Sequence, residues 1–271
     1  MSSEPYTESW RDGPLATKFY TRLYLPPAGV APVAVLTFVH GYIEHVGRYT
    51  AAHAAWAAAG VAVFAYDMRG FGRTALGDAR SPASQYGKTG GVRERTMEST
   101  GRPLVGVARR HQPYIVRKLA VLLGKLAPNA VIKTPVQDKD LSHDENVGPD
   151  SLKDPYIKGY GRLEGLIDMI HRGEVLIWEG YKLWPSDDLP VLILHGTADQ
   201  VNAFPPTKKF FEMLQAPNKE FIVYENMMHD LMTEPEIKEK YFQDCLSWVQ
   251  KHLSPPAAPA GPASDSTAPA V

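Results

Sequence analysis

The chain has 271 residues, long enough to bury a substantial core as one large domain or two small ones. Its 44% hydrophobic and 22% charged composition is that of a globular protein, and a net charge of −1 leaves no electrostatic case for nucleic acid or an anionic membrane as partner. The single cysteine, Cys245, excludes an internal disulfide framework. No apolar run approaches the ~18 residues that span a bilayer. The start, Met1-Ser2-Ser3-Glu4-Pro5, lacks the basic and apolar regions of a signal peptide, so a reducing, cytoplasmic location is expected. No zinc-ligand spacing, Walker loop or GxGxxG occurs, so no metal or cofactor is expected.

In chain order, Asp12-Gly13 is a hairpin-turn dipeptide, and residues 18–25 alternate imperfectly between apolar and polar, as a strand would. Pro26-Pro27-Ala28-Gly29 breaks that stretch. Residues 33–39 are a nearly continuous apolar run, suited to a strand covered on both faces of a parallel sheet. The alanine-rich stretch 50–59 predicts a helix closed by Gly60, and residues 61–66 a second buried strand. Strand, helix, strand is a βαβ unit with a right-handed crossover expected.

Residues 77–103 show no period, which is unusual for so long a stretch inside a compact domain. Residues 112–126 carry an amphipathic helical pattern, and residues 162–184 predict two short helices rich in large apolar side chains. The α/β pattern resumes with a strand at 191–194, a helix at 206–215, a strand at 221–224 and an amphipathic helix at 234–252. The tail, 254–271, is Pro, Ala and Ser with one charge and is expected to be disordered.

Three segments carry chemistry. His40-Gly41-Tyr42 follows a buried strand directly, where α/β folds place ligands. Gly41 allows close backbone approach, and the N–H of Tyr42 is a candidate oxyanion donor. Asp199 follows the strand at 191–194, and His229 lies in the loop after the next strand. Two consecutive strand-end loops put an acid beside an imidazole, which a carboxylate can hold in one tautomer. Taken alone, Asp199 is more readily a turn or helix-capping aspartate, and His229 a loop histidine packed under Met227 and Met228.

The stretches His40-Gly41-Tyr42-Ile43-Glu44-His45 with Arg48-Tyr49, then Ala65-Tyr66-Asp67-Met68-Arg69-Gly70-Phe71-Gly72, then Tyr86-Gly87, then Leu194-His195-Gly196-Thr197-Ala198-Asp199, resemble the monoacylglycerol lipases. These form part of the serine aminopeptidase (S33-like) branch of the α/β-hydrolases. The resemblance runs over residues 4–91 and 99–253. It implies an α/β-hydrolase fold with a mostly parallel central sheet and a helical cap. It also implies hydrolysis of monoacylglycerols to glycerol and fatty acid, with Asp199 as acid, His229 as base and Tyr42 N–H as oxyanion donor. The implied layout is a core from 1–111, a cap or lid over 112–184, the rest of the core over 185–253 and the tail over 254–271. Ile170, Ile177, Trp178 and Trp184 are then expected to line a lipid-sized pocket, although packing on the sheet is the alternative. Exposed apolar cap residues are expected to touch a membrane or lipid-droplet surface without crossing it.

One part of the pattern is absent. The nucleophile belongs in a Gly-x-Ser-x-Gly turn, and the chain contains none. Tyr86-Gly87-Lys88-Thr89-Gly90-Gly91 runs within a few residues into Ser99-Thr100-Gly101-Arg102-Pro103, which resembles the family's sequence beyond the elbow helix and the next strand. Roughly 50–60 residues are missing by mean element lengths: two central strands, the elbow helix and the second oxyanion donor. Exposed ladder groups cost about 1–3 kcal/mol each, so either the outer strands close up, with 101–107 recruited as a makeshift strand, or the chain is unstable. Ser99 is a half motif without its first glycine, and Cys245 is expected to be a small buried hydrophobe. The expectation is a lipase-like protein with little or no activity. The alternatives are a non-catalytic lipid-binding pseudoenzyme and a peptidase or esterase of the same branch.

Overall fold

The computed structural model describes residues 4–82, 84–89, 127, 129–133, 136–182, 184 and 189–253. β1 (Thr7–Gly13) and β2 (Thr17–Tyr24) form an antiparallel hairpin. Its turn falls just after Asp12-Gly13, on the 3-10 turn Pro14–Ala16, where Leu15 and Ala16 take φ of +57° and +52°. β3 (Ala34–Val39), α1 (Thr50–Ala58) and β4 (Val61–Tyr66) make the expected βαβ unit, with β3 and β4 parallel neighbours. α1 ends where Gly60, at φ +88°, turns the chain. β4 also pairs antiparallel with β2, so the sheet runs β1-β2-β4-β3. Tyr20, Tyr24, Val46, Ala57, Val63 and Ala65 make its core. The short α2 (Gly72–Leu76) packs Ala75 with Phe71 against Ile43 and Tyr86.

Farther along lie β5 (Val131–Lys133), α3 (Val147–Lys153), β6 (Tyr160–Arg162) and α4 (Leu163–Trp178). A second parallel pair comes next, β7 (Val191–Gly196) and β8 (Lys219–Tyr224), connected through α5 (Phe204–Met213). α6 (Lys238–His252) comes last. No described helix is long and apolar enough to cross a membrane.

Two expectations need correction. Residues 162–184 hold one helix of 16 residues and a 3-10 turn at Gly180–Lys182, not two short helices. Its N-terminus is fixed by β6, which pairs with β5 and whose Arg162 donates to Tyr86 O at 3.1 Å. The run 33–39 is not covered on both faces either: Val35 is 66% exposed. Among the described residues β3 pairs only with β4, and β7 only with β8. This break in the ladder falls where the sequence predicts two missing strands, so no described strand lies on the far side of β3. The helix at 112–126, the makeshift strand at 101–107, Ser99 and the tail lie outside the described residues.

The two sheets are tied by side chains and loops. The Trp56 and Phe242 rings meet edge to face at 5.2 Å. Arg48 Nη2 lies 3.6 Å from Asp230 Oδ2, and Asp230 N–H donates to Leu141 O at 2.8 Å.

Candidate active site

The acid sits in the loop after β7. Asp199 Oδ1 accepts the backbone N–H groups of Val201 at 2.7 Å and Asn202 at 2.8 Å. This fixes the carboxylate with Oδ2 turned toward the loop after β8, where His229 Nδ1 lies 3.0 Å away. Asp199 is thus both the turn aspartate that its sequence context suggests and the partner of His229. Asp199 can only accept, so the Nδ1–H of His229 donates, and Nε2 keeps the lone pair that a general base uses. Burial disfavours the imidazolium. The hydrogen bond and charge of Asp199, joined by Glu44 and Asp230, outweigh that and raise the His229 pKa above 6.5.

The base loop is stitched to the acid loop by backbone. Thr197 N–H donates to Tyr224 O at 3.0 Å and Ala198 N–H to Met227 O at 3.0 Å. Asn226 takes φ of +61°, and its N–H donates to Thr197 Oγ1 at 2.8 Å. Gly196 makes this approach possible, since a Cβ there would lie 2.1 Å from Met227 O. His195, also on β7, donates from Nδ1 to Gly196 O, and its buried Nε2 stands 3.8 Å from Asp199 Oδ2, beyond hydrogen-bond reach.

The loop after β3 is equally determined. Met68 N–H donates to His40 Nε2 at 2.9 Å, so the proton is on Nδ1, which donates to Gly41 O at 2.7 Å. Burial lowers the His40 pKa and keeps this ring neutral. Ile43 takes φ of +72°, a strained position for a β-branched residue. Its side chain is locked among Phe71, Ala75 and Tyr86. Glu44 folds back to accept Gly41 N–H at 2.9 Å and binds Arg48 at 2.6 Å, and it also accepts the Tyr49 hydroxyl. Arg48 reaches Asp230, so the Tyr42 loop and the His229 loop share one guanidinium. Burial, then the charge of Glu44, raise the Asp230 pKa despite Arg48.

The Tyr42 ring packs edge-on to Phe71 and fits a gap left by glycines: a Cβ on Gly161 or Gly165 would lie 2.5 or 3.1 Å from its hydroxyl. The apolar residues expected to line a pocket are placed along and just after α4. Trp184 packs with Leu176 and Tyr181 against Val191, Phe210, Leu214 and Ala216. Trp178 is 49% exposed, with Lys209 Nζ 4.4 Å above its ring. Ile170 and Ile177 are partly buried on the same helix. Cys245 is half-buried rather than fully buried, and burial pushes its thiol up to about 11, so it is protonated and unreactive at neutral pH.

Sequence reasoning passed over Glu234. It is completely buried, and its carboxylate accepts Met228 N–H at 2.7 Å and His143 N–H at 3.2 Å, with His143 Nδ1 at 2.9 Å. One carboxylate therefore holds the residue before the base and the segment leading into α3. Nothing in Thr233-Glu234-Pro235 announces this, because burial of a charged side chain has no sequence signature.

The profile of the family described as "Serine aminopeptidase, S33" matches residues 30–94 and 102–236. A Schizosaccharomyces pombe relative is 27% identical over 266 aligned residues, covering 83% of this chain and 69% of its own. The monoacylglycerol lipase of Mycolicibacterium smegmatis is 27% identical over 262, covering 82% and 90%. Among solved structures, a soluble variant of monoglyceride lipase from Saccharomyces cerevisiae, in complex with a substrate analog, superposes with a TM-score of 0.73 at 20% identity, covering 93% of this chain and 98% of that one. The fold is that of the α/β-hydrolases, and the chain belongs to the serine aminopeptidase S33 family, in which it is similar to the monoacylglycerol lipases.

Proposed function

We propose that this chain is a monoacylglycerol lipase relative that keeps the acid, the base and the first oxyanion loop but has lost its acyl-accepting serine, and so hydrolyses esters weakly or not at all. The observation that carries this is the intact Asp199–His229 pair in a chain without any Gly-x-Ser-x-Gly. The family match supports it, because it breaks between residues 94 and 102, where the elbow belongs. The relatives support it too. Their alignments are longer than the part of this chain they cover, so they hold residues with no counterpart here.

In the family chemistry His229 would take the serine proton, Asp199 would stabilise the imidazolium, and Tyr42 N–H with a second amide would bind the oxyanion. Without serine and second amide, only binding and a weakly activated water remain. The ligand class is a monoacylglycerol or similar lipid ester. The setting that fits is cytoplasmic, with peripheral contact to lipid surfaces.

The test is a fluorophosphonate probe on the purified 271-residue chain, alongside glycerol release from monoacylglycerol. The expected result is no labelling and no release above background, with saturable monoacylglycerol binding. Stoichiometric serine labelling overturns the reading.

A further inference from the structure

Beside the turn at 45–48, a cavity of about 260 Å3 is walled by three guanidinium groups, Arg22, Arg48 and Arg73, against one carboxylate, Asp154. Arg48 and Arg73 have acidic partners, Glu44 at 2.6 Å and Asp230 at 3.6 Å for Arg48 and Glu8 at 3.2 Å for Arg73. Arg22 is only 6% exposed and has no carboxylate partner among the described residues. Its Nε donates to the Tyr20 hydroxyl at 2.8 Å and its Nη1 to Thr50 Oγ1 at 2.9 Å, both neutral acceptors. Among the described residues no acceptor meets Nη2. A buried cation without a counter-ion is costly, and folded proteins normally pair it.

Asp154 lines the same cavity but makes no ion pair with Arg22 among the described residues, and its oxygens are turned to other donors. Its Oδ2 accepts from His45 Nε2 at 2.7 Å and its Oδ1 from Tyr156 N–H at 2.8 Å. Gly47 N–H donates to His45 Nδ1 at 3.1 Å, so that ring is the neutral Nε2–H tautomer. Arg22 and Arg73 both lie over the Tyr20 ring, with Cζ 5.5 and 4.8 Å from its centroid, which holds two like charges on one wall. A Cβ on Gly47 would lie 2.7 Å from His45 Cε1, so glycine makes room there for the imidazole that holds Asp154 on the cavity wall. Planar guanidiniums held in place around a small gap are suited to binding phosphate oxygens.

We propose that this cavity binds a small phosphate-class oxyanion, through Arg22, whose charge has no carboxylate partner, and Arg73. The site is distinct from the Asp199–His229 pair. The anion is either free phosphate or the phosphate of a lipid headgroup.

The experiment titrates inorganic phosphate into the full chain by calorimetry and thermal shift, against chloride at matched ionic strength. Saturable phosphate binding and stabilisation beyond chloride are expected, weakened at least tenfold in Arg73→Gln and lost in Arg22→Gln. Arg22→Gln risks misfolding because Arg22 lies 4.0 Å above the Tyr6 ring, so the half-exposed Arg73 carries the test alone if needed. Co-sedimentation with phosphatidylcholine vesicles containing phosphatidic acid is the second arm. Enrichment over phosphatidylcholine alone, abolished by Arg73→Gln, assigns a headgroup, and phosphate binding without enrichment assigns a soluble anion. Equal responses to phosphate and chloride with no vesicle enrichment overturn the proposal, as does unchanged binding in Arg73→Gln.

Discussion

His229 Nδ1 stands 3.0 Å from Asp199 Oδ2, while His195 Nε2 stands 3.8 Å from the same oxygen. One acid faces two imidazoles, and only His229 is close enough to donate to it. Replacing Asp199 with asparagine removes the charge that raises the His229 pKa, so its midpoint in an NMR titration falls. The raised value also predicts a stability slope. The pair stabilises the fold fully below 6.5, the ordinary histidine value, and that contribution is lost as pH rises through the His229 pKa. Asp199→Asn flattens the slope, and a midpoint that does not move shows that the pair is absent in solution.

Glu234 is the second test. Glu234→Ala strands the part-buried N–H groups of Met228 and His143 and empties a fully buried site, for a loss of about 1–3 kcal/mol in urea denaturation. Glu234→Gln keeps one acceptor oxygen and loses less. Equal losses in the two variants would show that the volume of the side chain matters and its acceptors do not.

Gly196→Ala probes the seam between the acid and base loops. Its Cβ meets backbone, Met227 O at 2.1 Å and Met228 O at 2.6 Å, which cannot rotate away as a side chain would. The expected penalty is about 3 kcal/mol, at the upper end for overpacking, with shifted amide resonances from 226 to 230. A silent substitution would place the base loop farther from β7 than the structure has it.

His53 is 1% exposed among Tyr24, Phe38 and Tyr49, with neither ring nitrogen hydrogen-bonded. Burial, then the charge of Arg22, push its pKa down to about 4. The unfolded chain takes up this proton more readily, so stability is full above pH 6.5 and falls as pH drops through 4, by roughly 3 kcal/mol. His53→Phe preserves the aromatic contacts and removes this acid-side slope. An identical slope from pH 7 to 4 in wild type and variant assigns the effect to another group.

Local pattern was enough to read the βαβ unit, because the runs at 33–39 and 61–66, the alanines between them and Gly60 all act through nearest neighbours. Asp199 and His229 were also legible, because two successive strand ends fall at one edge of a parallel pair whatever the rest of the chain does. Val35 was not: an apolar run records what a strand could bury against, and its exposure depends on what lies across from it. The β5–β6 ribbon was hidden because three-residue strands carry no period. Trp178 and Trp184 look alike in sequence, yet one ring is half in solvent beneath Lys209 and the other is packed against Phe210. Their fates depend on where α5 lies.

The divided ladder has a consequence for cooperativity. Asp199 and His229 both ride on the β7–β8 pair, whereas Tyr42 rides on the β1-β2-β4-β3 sheet. Contacts that join them include Trp56 on Phe242 and Arg48 on Asp230, while Glu234 and Asp230 also hold the segment of His143 and Leu141. Such contacts are each worth little beside a continuous ladder, so this seam is where the described halves are least strongly coupled. Loss of that seam would part the Asp199–His229 pair from the Tyr42 loop without touching the hydrogen bond between carboxylate and imidazole.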